Sequence, residues 1–282
     1  MVCVKNESVQ SLDYAVSWTL SVREPKCHIP FHYEVSCKQR NGLPEMTLIA
    51  TVWSPEGFAI AADGLQVYED HANSETRIED VQKIFSTAFV NDTGFAWAWV
   101  GYTGAEFVSG RRYDLKEITE RVIAELPDDD LDDPQSYFDK IALRIFYELE
   151  PPDSIPSSIP DSDDDVIFVG YLAGKPLWVE ITFQRREGMF LPPVVIEPRI
   201  EPRNFNAFAG SKTISKQMKD AGKLSQPVRL SEAIRAVHEY AKTCVESREI
   251  VPDCKNFGGT VHVATVTKEG FAWKIEPKNL KK

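Results

Sequence analysis

The chain has 282 residues, a formal net charge of −11 and a hydrophobic share of 43%, which is enough to bury a core in one large domain or two small ones. A net acidic chain without Lys and Arg clusters is a poor ligand for phosphates, so nucleic acid is excluded as the expected partner. No apolar run approaches the ~20 residues that cross a bilayer, and the charged N-terminal stretch lacks the apolar centre of a secretory signal, so we expect no membrane association and a cytoplasmic location.

The first residues of the chain differ from the rest. Residues 1–45 carry three of the five cysteines, show no hydrophobic periodicity and balance five basic against five acidic side chains. Residues 1–46 are therefore predicted to be a leader, a removable propeptide or a mis-assigned upstream start without ordered structure. The folded domain is predicted to cover residues 47–282.

Alternating and helical periodicities follow from residue 47 onward. Strands and hairpins are predicted for residues 47–53 with 58–63, 81–87, 94–104, 165–174 with 175–183, 205–211 and 259–277. Helices are predicted for residues 105–126, 134–150, 212–222 and 231–247. Antiparallel strands interleaved with helix pairs indicate a layered α+β fold.

Two acidic stretches, residues 127–134 and 151–165, interrupt this pattern. Neither has the alternating acids, the glycine and the final Glu of a calcium-binding loop. The five cysteines form no CxxC pair, so the sequence indicates neither a zinc site nor a redox motif. The acidic stretches are predicted to be solvated insertions, and no metal is expected.

Thr47 follows Met46 directly and opens the first predicted strand. A threonine hydroxyl inside a chain has no base of its own, whereas a threonine at a chain terminus has an α-amine with a pKa of about 7.7–8.0. Because a start methionine is removed efficiently before a small residue, the pair predicts an N-terminal threonine nucleophile. The alternative is an ordinary strand threonine.

Such a nucleophile needs a nearby cation, an acid that orients the cation and an N–H group for the oxyanion. The sequence offers one residue of each type in a suitable order. Asp63 ends the second strand, Lys83 lies among apolar neighbours, and Gly101 follows an aromatic strand. Each also has an ordinary structural interpretation, as a turn acid, a strand-edge lysine and a packing glycine.

Together these motifs resemble the proteasome β-type subunits and the HslV-like peptidases, which are N-terminal-nucleophile hydrolases. The shared features are an opening Thr47, Asp63 sixteen residues later in "AADG", Lys83 in "KIF", "GYTGAEF" before a helix, "GS" at residues 210–211, and a late acid before paired glycines. The resemblance covers nearly all of residues 47–282. Phe257 stands where the family has a serine before the paired glycines.

The resemblance implies a four-layer α-β-β-α sandwich and a threonine peptidase that needs no metal or organic cofactor. It adds Ser211 and Asp253 to the catalytic set, although Ser211 could equally cap the helix that follows it. It also implies a peptide or unfolded protein substrate, a homo-oligomeric ring and an ATP-dependent unfoldase as partner. Two alternatives are a small-amide hydrolase with the same nucleophile and a catalytically silent ring subunit.

Overall fold

The structure, a computed structural model, describes residues 47–69, 75–100, 104–106, 112–125, 133–149, 162–186, 189–199 and 206–278. All of them belong to the unit Val35–Lys282. Residues 1–46 lie outside the described residues, so the predicted leader and its boundary stay predictions.

The described residues form four α-helices: α1 (Leu115–Ala124), α2 (Pro134–Leu149), α3 (Lys212–Asp220) and α4 (Leu230–Glu246). The strands in the first half of the chain are β1 (Ile49–Ser54), β2 (Gly57–Ala62), β3 (Gln66–Glu69), β4 (Glu75–Ile78), β5 (Phe85–Ser86), β6 (Gly94–Val100), β7 (Gly104–Glu106) and β8 (Arg112–Asp114). Those in the second half are β9 (Ser162–Leu172), β10 (Lys175–Arg186), β11 (Met189–Phe190), β12 (Val194–Arg199), β13 (Asn206–Ala209), β14 (His262–Thr267) and β15 (Gly270–Ile275).

Two antiparallel sheets make up most of the strand content. The first has the order β13-β1-β2-β14-β15, so β1 lies between β2 and β13. The second has the order β11-β10-β9-β6-β5, with β12 also pairing with β10. Short pairs β3-β4 and β7-β8 complete the set for the described residues.

Three buried clusters follow from the two-residue alternation of strand side chains. In β1 and the residue before it, Leu48 and Ala50 pack with α3 and α4, while Ile49 packs among side chains of both sheets. One face of the second sheet contributes to the cluster that holds Ile49, and its other face packs against α1 and α2. Trp97 and Trp99 are among the largest buried side chains of this second face. The helices α3 and α4 therefore pack against the first sheet, and α1 and α2 pack against the second.

The predicted α+β class with antiparallel sheets is confirmed. The hairpins at 47–63, 165–183 and 259–277 and the last three predicted helices also lie where the sequence places them. The strand predicted over residues 81–87 is wrong for most of its length, since only Phe85–Ser86 pairs in a sheet.

The helix predicted over residues 105–126 begins too early. The structure has β7 and β8 before α1, because the chain here pairs with itself from Gly104 opposite Asp114 to Glu106 opposite Arg112. The solvated insertion predicted for residues 151–165 does not extend to residue 165. Its last residues extend β9 and pair with β10, and Asp164 is buried there.

Candidate active site

Asp63 lies where β2 ends, opposite the residue that follows Thr47. The register pairs Ile49 with Ala62, and the Asp63 N–H continues it by donating to the Leu48 carbonyl at 3.3 Å. The Leu48 N–H in turn donates to Asp63 Oδ1 at 2.9 Å. The carboxylate is therefore held against the peptide bond that joins Thr47 to Leu48.

Lys83 reaches the same carboxylate oxygen from a different segment. Its Nζ donates to Asp63 Oδ1 at 2.8 Å, and the two residues are 4% and 0% exposed. One oxygen thus accepts from both the ammonium group and the N–H that follows Thr47. Thr47 itself is 2% exposed. The structure brings the predicted nucleophile, cation and orienting acid to one buried point at the start of β1.

Ser211 follows β13, the other neighbour of β1. The register pairs Ile49 with Ala209, and the β13 strand runs antiparallel to β1. This is the last pair of the ladder; Thr47 precedes Ile49 by two residues, and Ser211 follows Ala209 by two residues. Asp63 and Ser211 thus flank the start of β1 on its two sides.

The Ser211 side chain makes hydrogen bonds to Ile214, Asp253 and Cys254. Its Oγ accepts from the Ile214 N–H at 3.0 Å, so Ser211 is the N-cap of α3. The same hydroxyl donates to Asp253 Oδ1 at 2.8 Å. The interpretation of Ser211 as a helix cap is therefore correct.

Asp253 holds Ser211 from the segment after α4. Its Oδ2 accepts from the Thr213 N–H in the first turn of α3 at 3.1 Å. Burial alone would raise the pKa of Asp253, but the hydrogen bonds donated by Thr213 and Ser211 outweigh it and lower the pKa below its usual value. Asp253 is therefore an acceptor that fixes the direction of the Ser211 O–H.

Gly258 is a contact of the site that the sequence did not indicate. Its N–H donates to Asp63 Oδ2 at 3.2 Å, so both carboxylate oxygens are satisfied. The paired glycines at 258 and 259 were the available signal, but their partner lies far away in the chain. Phe257, which replaces the family's serine, is 1% exposed and packs in the cluster with α3 and α4.

Gly101, the predicted oxyanion donor, follows β6 directly and lies outside the described residues. Its role stays a prediction. The catalytic roles of the other five residues also stay predictions, whereas their positions are as given above.

Two cysteines near this part of the site, Cys244 and Cys254, are buried. The Cys254 Sγ is 4.0 Å from Asp253 Oδ1, and Cys244 and Cys254 are both fully buried. Burial raises the pKa of both thiols. A thiol with a raised pKa stays protonated at neutral pH and is a poor nucleophile. Neither of these two cysteines is a candidate nucleophile.

A search of the described residues finds no group of three or more His, Cys, Asp or Glu side chains placed to hold a metal ion. Within the same residues, no helix combines the length and the apolar character needed to cross a membrane.

Comparison with known proteins shows similarity at the level of structure. No protein-family model matches the chain, and no curated protein matches it. Among solved structures, the chain is similar to the (Gly-1) mutant of Anbu from Hyphomicrobium sp. strain MC1, at 12% identity and a TM-score of 0.47, over 83% of this chain and 90% of that chain.

The assignment of residues 47–282 to the proteasome β-type or HslV-like family is therefore wrong. No family model and no curated protein matches the chain. The motifs that suggested the assignment are each two to seven residues long, and the sequence between them carries no match.

Proposed function

We propose that the chain is a hydrolase that cleaves peptide bonds with the hydroxyl of an N-terminal Thr47. The observation that carries the proposal is the buried Lys83–Asp63 ion pair, which shares Asp63 Oδ1 with the N–H that follows Thr47. A desolvated ammonium group favours the ionised form of a neighbouring hydroxyl and the neutral form of a neighbouring amine. Both effects are what a threonine nucleophile with its own amine as base requires.

The first half of the reaction forms an ester. The Thr47 Oγ bonds to the substrate carbonyl carbon as its proton passes to the Thr47 α-amine, and the carbonyl electron pair becomes an oxyanion. Collapse of this intermediate breaks the C–N bond, and the α-ammonium gives the proton to the departing amine. The predicted Gly101 N–H would stabilise the oxyanion.

The second half regenerates the enzyme. Water attacks the ester carbon while the α-amine again takes a proton, and the ester C–O bond breaks to return the proton to Oγ. Ser211 serves both halves as an acceptor for one N–H of the Thr47 amine, because its own O–H is committed to Asp253. This hydrogen bond would direct the amine lone pair toward Oγ.

The four-layer α-β-β-α arrangement belongs to the same proposal. It is supported by the cluster that combines side chains of both sheets and by the helix pairs on the outer faces. The peptide or unfolded protein substrate is part of the proposal as well. The homo-oligomeric ring, the unfoldase partner and the cytoplasmic location stay predictions.

The test compares chains that differ only in what precedes Thr47. One preparation begins at Thr47, and the other keeps the upstream residues, which convert the base into a non-basic amide. A hydroxyl-directed electrophile should label the first at Thr47 and leave the second unlabelled, as read by intact mass and peptide mapping. Thr47→Ala should abolish the label, and Thr51→Val, a buried threonine of the same strand, should keep it.

Equal labelling of both preparations, or a label on another residue, would rule the mechanism out. Turnover separates peptidase from small-amide hydrolase, since a peptidase should prefer extended peptides over simple amides. A Thr47-terminal chain that neither reacts nor turns over would support the silent subunit.

A further inference from the structure

Three segments of the chain meet next to Asp63: residues 64–65, 79–81 and 258–260. They are joined by backbone hydrogen bonds and not by a regular ladder. These bonds are Val81 N–H to Gly64 O at 2.8 Å, Thr260 N–H to Glu79 O at 2.9 Å and Leu65 N–H to Gly258 O at 3.0 Å. The first segment follows Asp63, and the second leads to Lys83.

Asp80 closes this junction with its side chain. Its Oδ1 lies 2.9 Å from His262 Nε2, and its Oδ2 accepts from the Lys278 N–H at 2.8 Å. Thr260 adds a side-chain hydrogen bond. Burial alone would raise the pKa of Asp80, but the hydrogen bonds from His262, Lys278 and Thr260 outweigh it and lower the pKa. Asp80 therefore acts as a carboxylate that binds three separate donors.

His262 is fixed on the strand that pairs with the Asp63 strand. It opens β14 opposite Ala62, the residue before Asp63, and is 0% exposed. Its Nε2 faces Asp80, while its Nδ1 has no hydrogen-bond partner among the described residues. An apolar ring would pack here without an unpaired nitrogen, so the imidazole contributes through its bond to Asp80.

The position of Lys83 depends on this junction. Lys83 lies between this junction and β5, which begins two residues later at Phe85. The Val81 N–H to Gly64 bond and the Asp80 contacts fix the chain two and three residues before Lys83, and the Gln82 side chain donates to the Ile84 carbonyl at 2.8 Å. A lysine side chain has four rotatable bonds, and its ammonium reaches Asp63 reproducibly only if its backbone is fixed.

We propose that Asp80 and His262 are positioning residues of the Thr47 hydrolase, holding residues 79–83 so that the Lys83 ammonium meets Asp63. The inference rests on the proposed function. Asp80 and His262 would act through Lys83 and would not contact the substrate. It predicts that loss of the Asp80–His262 bond displaces the Lys83 ammonium while the Thr47 strand stays in place.

The first experiment measures kcat and KM of the chain that begins at Thr47. Asp80→Asn should lower kcat about tenfold or more and change KM less than about twofold, because Lys83 acts on the chemical step. His262→Gln should retain most of the activity, since a Gln amide N–H can replace Nε2–H. His262→Leu should resemble Asp80→Asn. Glu148→Gln, which removes the charge of an exposed partner of Arg121, should match the parent.

The second experiment does not require activity. The side-chain ammonium NMR signal of Lys83, assigned with Lys83→Arg, should be present in the parent, Glu148→Gln and His262→Gln. It should be lost or shifted in Asp80→Asn. If Asp80→Asn does not fold, His262→Leu takes its place in both experiments.

The two readouts separate the proposals. A displaced Lys83 signal in a protein that never hydrolyses peptides would retain the positioning role and reject the hydrolase. An unmoved Lys83 signal in Asp80→Asn, or an unchanged kcat in an active enzyme, would overturn the positioning role alone.

Discussion

Asp63 and Lys83 form an ion pair that is closed off from water, with 2.8 Å between Asp63 Oδ1 and Lys83 Nζ. Two further donors, the N–H groups of Leu48 and Gly258, complete the hydrogen bonding of the carboxylate. A buried pair of this kind contributes little net stability against an apolar replacement, but removal of one partner leaves an uncompensated charge. The pair therefore serves the site and also constrains which variants will fold.

The first prediction concerns single and double changes of this pair. Lys83→Met should reduce the free energy of unfolding by about 3–5 kcal/mol, since Asp63 stays buried and unpaired. Lys83→Met combined with Asp63→Asn should cost less than the sum of the single changes. Denaturant unfolding of the four proteins measures this coupling.

Lys242→Met is the control for this cycle, because Lys242 and its partner Glu246 are exposed and lie at (i, i+4) on α4. It should change the free energy of unfolding by less than about 0.5 kcal/mol. Strict additivity at Asp63 and Lys83 would mean that the two side chains do not form this pair in solution.

The second prediction concerns acid stability through Asp253. Its pKa is lower in the folded chain than the usual value of 3.8, so the folded state binds its proton less readily than the unfolded state. Its contribution to stability is therefore present above about pH 4 and is lost as the pH falls through the folded pKa. Asp253→Asn should lower the free energy of unfolding at neutral pH. It should also make that free energy fall less steeply as the pH is lowered below about 4.

Unfolding by denaturant at a series of pH values from neutral to acid measures this effect. Glu246→Gln removes an exposed carboxylate from α4 and should keep the slope of the parent. If the free energy of unfolding falls equally with acid pH in Asp253→Asn and in the parent, the carboxylate does not bind Ser211 and Thr213 in the folded chain.

The third prediction compares two glycines with similar backbone angles. Gly259 has a φ of +73°, and a Cβ there would lie 2.3 Å from the Glu79 carbonyl oxygen and 2.8 Å from the carbonyl carbon of Gly64. Gly222 has a φ of +70° with nothing within 4 Å of the corresponding position. Gly222→Ala should cost only the left-handed backbone term, about 1–2 kcal/mol.

Gly259→Ala should cost clearly more than Gly222→Ala, because backbone atoms of residues 64 and 79 must move as well. The midpoint of thermal unfolding ranks the two variants. Since the same movement would disturb the segment that leads to Lys83, Gly259→Ala should also lose activity per folded molecule. Equal costs at the two glycines would argue against the close approach of the three segments.

The sequence predicted what depends on neighbouring residues. Alternation in Leu48, Ile49 and Ala50 identified β1, and apolar neighbours around Lys83 indicated its burial. It could not predict contacts between distant segments. Gly258 meets Asp63 across 195 residues, and Asp80 meets His262 across 182. No local pattern specifies such pairs, because sheet order and register decide which segments become neighbours.

The final prediction separates the two interpretations of Ser211. Its hydroxyl caps α3 and also binds Asp253, so Ser211→Ala removes both interactions. Loss of an N-cap costs about 0.5–2 kcal/mol. Asp133 supplies a matched control, because its Oδ1 accepts from the Gln135 and Ser136 N–H groups at the start of α2, in a helix that packs on the other sheet.

Both Ser211→Ala and Asp133→Ala should therefore lose stability in denaturant unfolding, and Ser211→Ala should lose more, because it also removes the bond to Asp253. Only Ser211→Ala should lose turnover, by about tenfold or more per folded molecule, because the Thr47 amine then lacks the acceptor that directs its lone pair. Assays well below both unfolding midpoints keep the two effects apart. Full turnover of folded Ser211→Ala would reduce Ser211 to a helix cap, and the proposed support of Thr47 would then rest on Asp63 and Lys83.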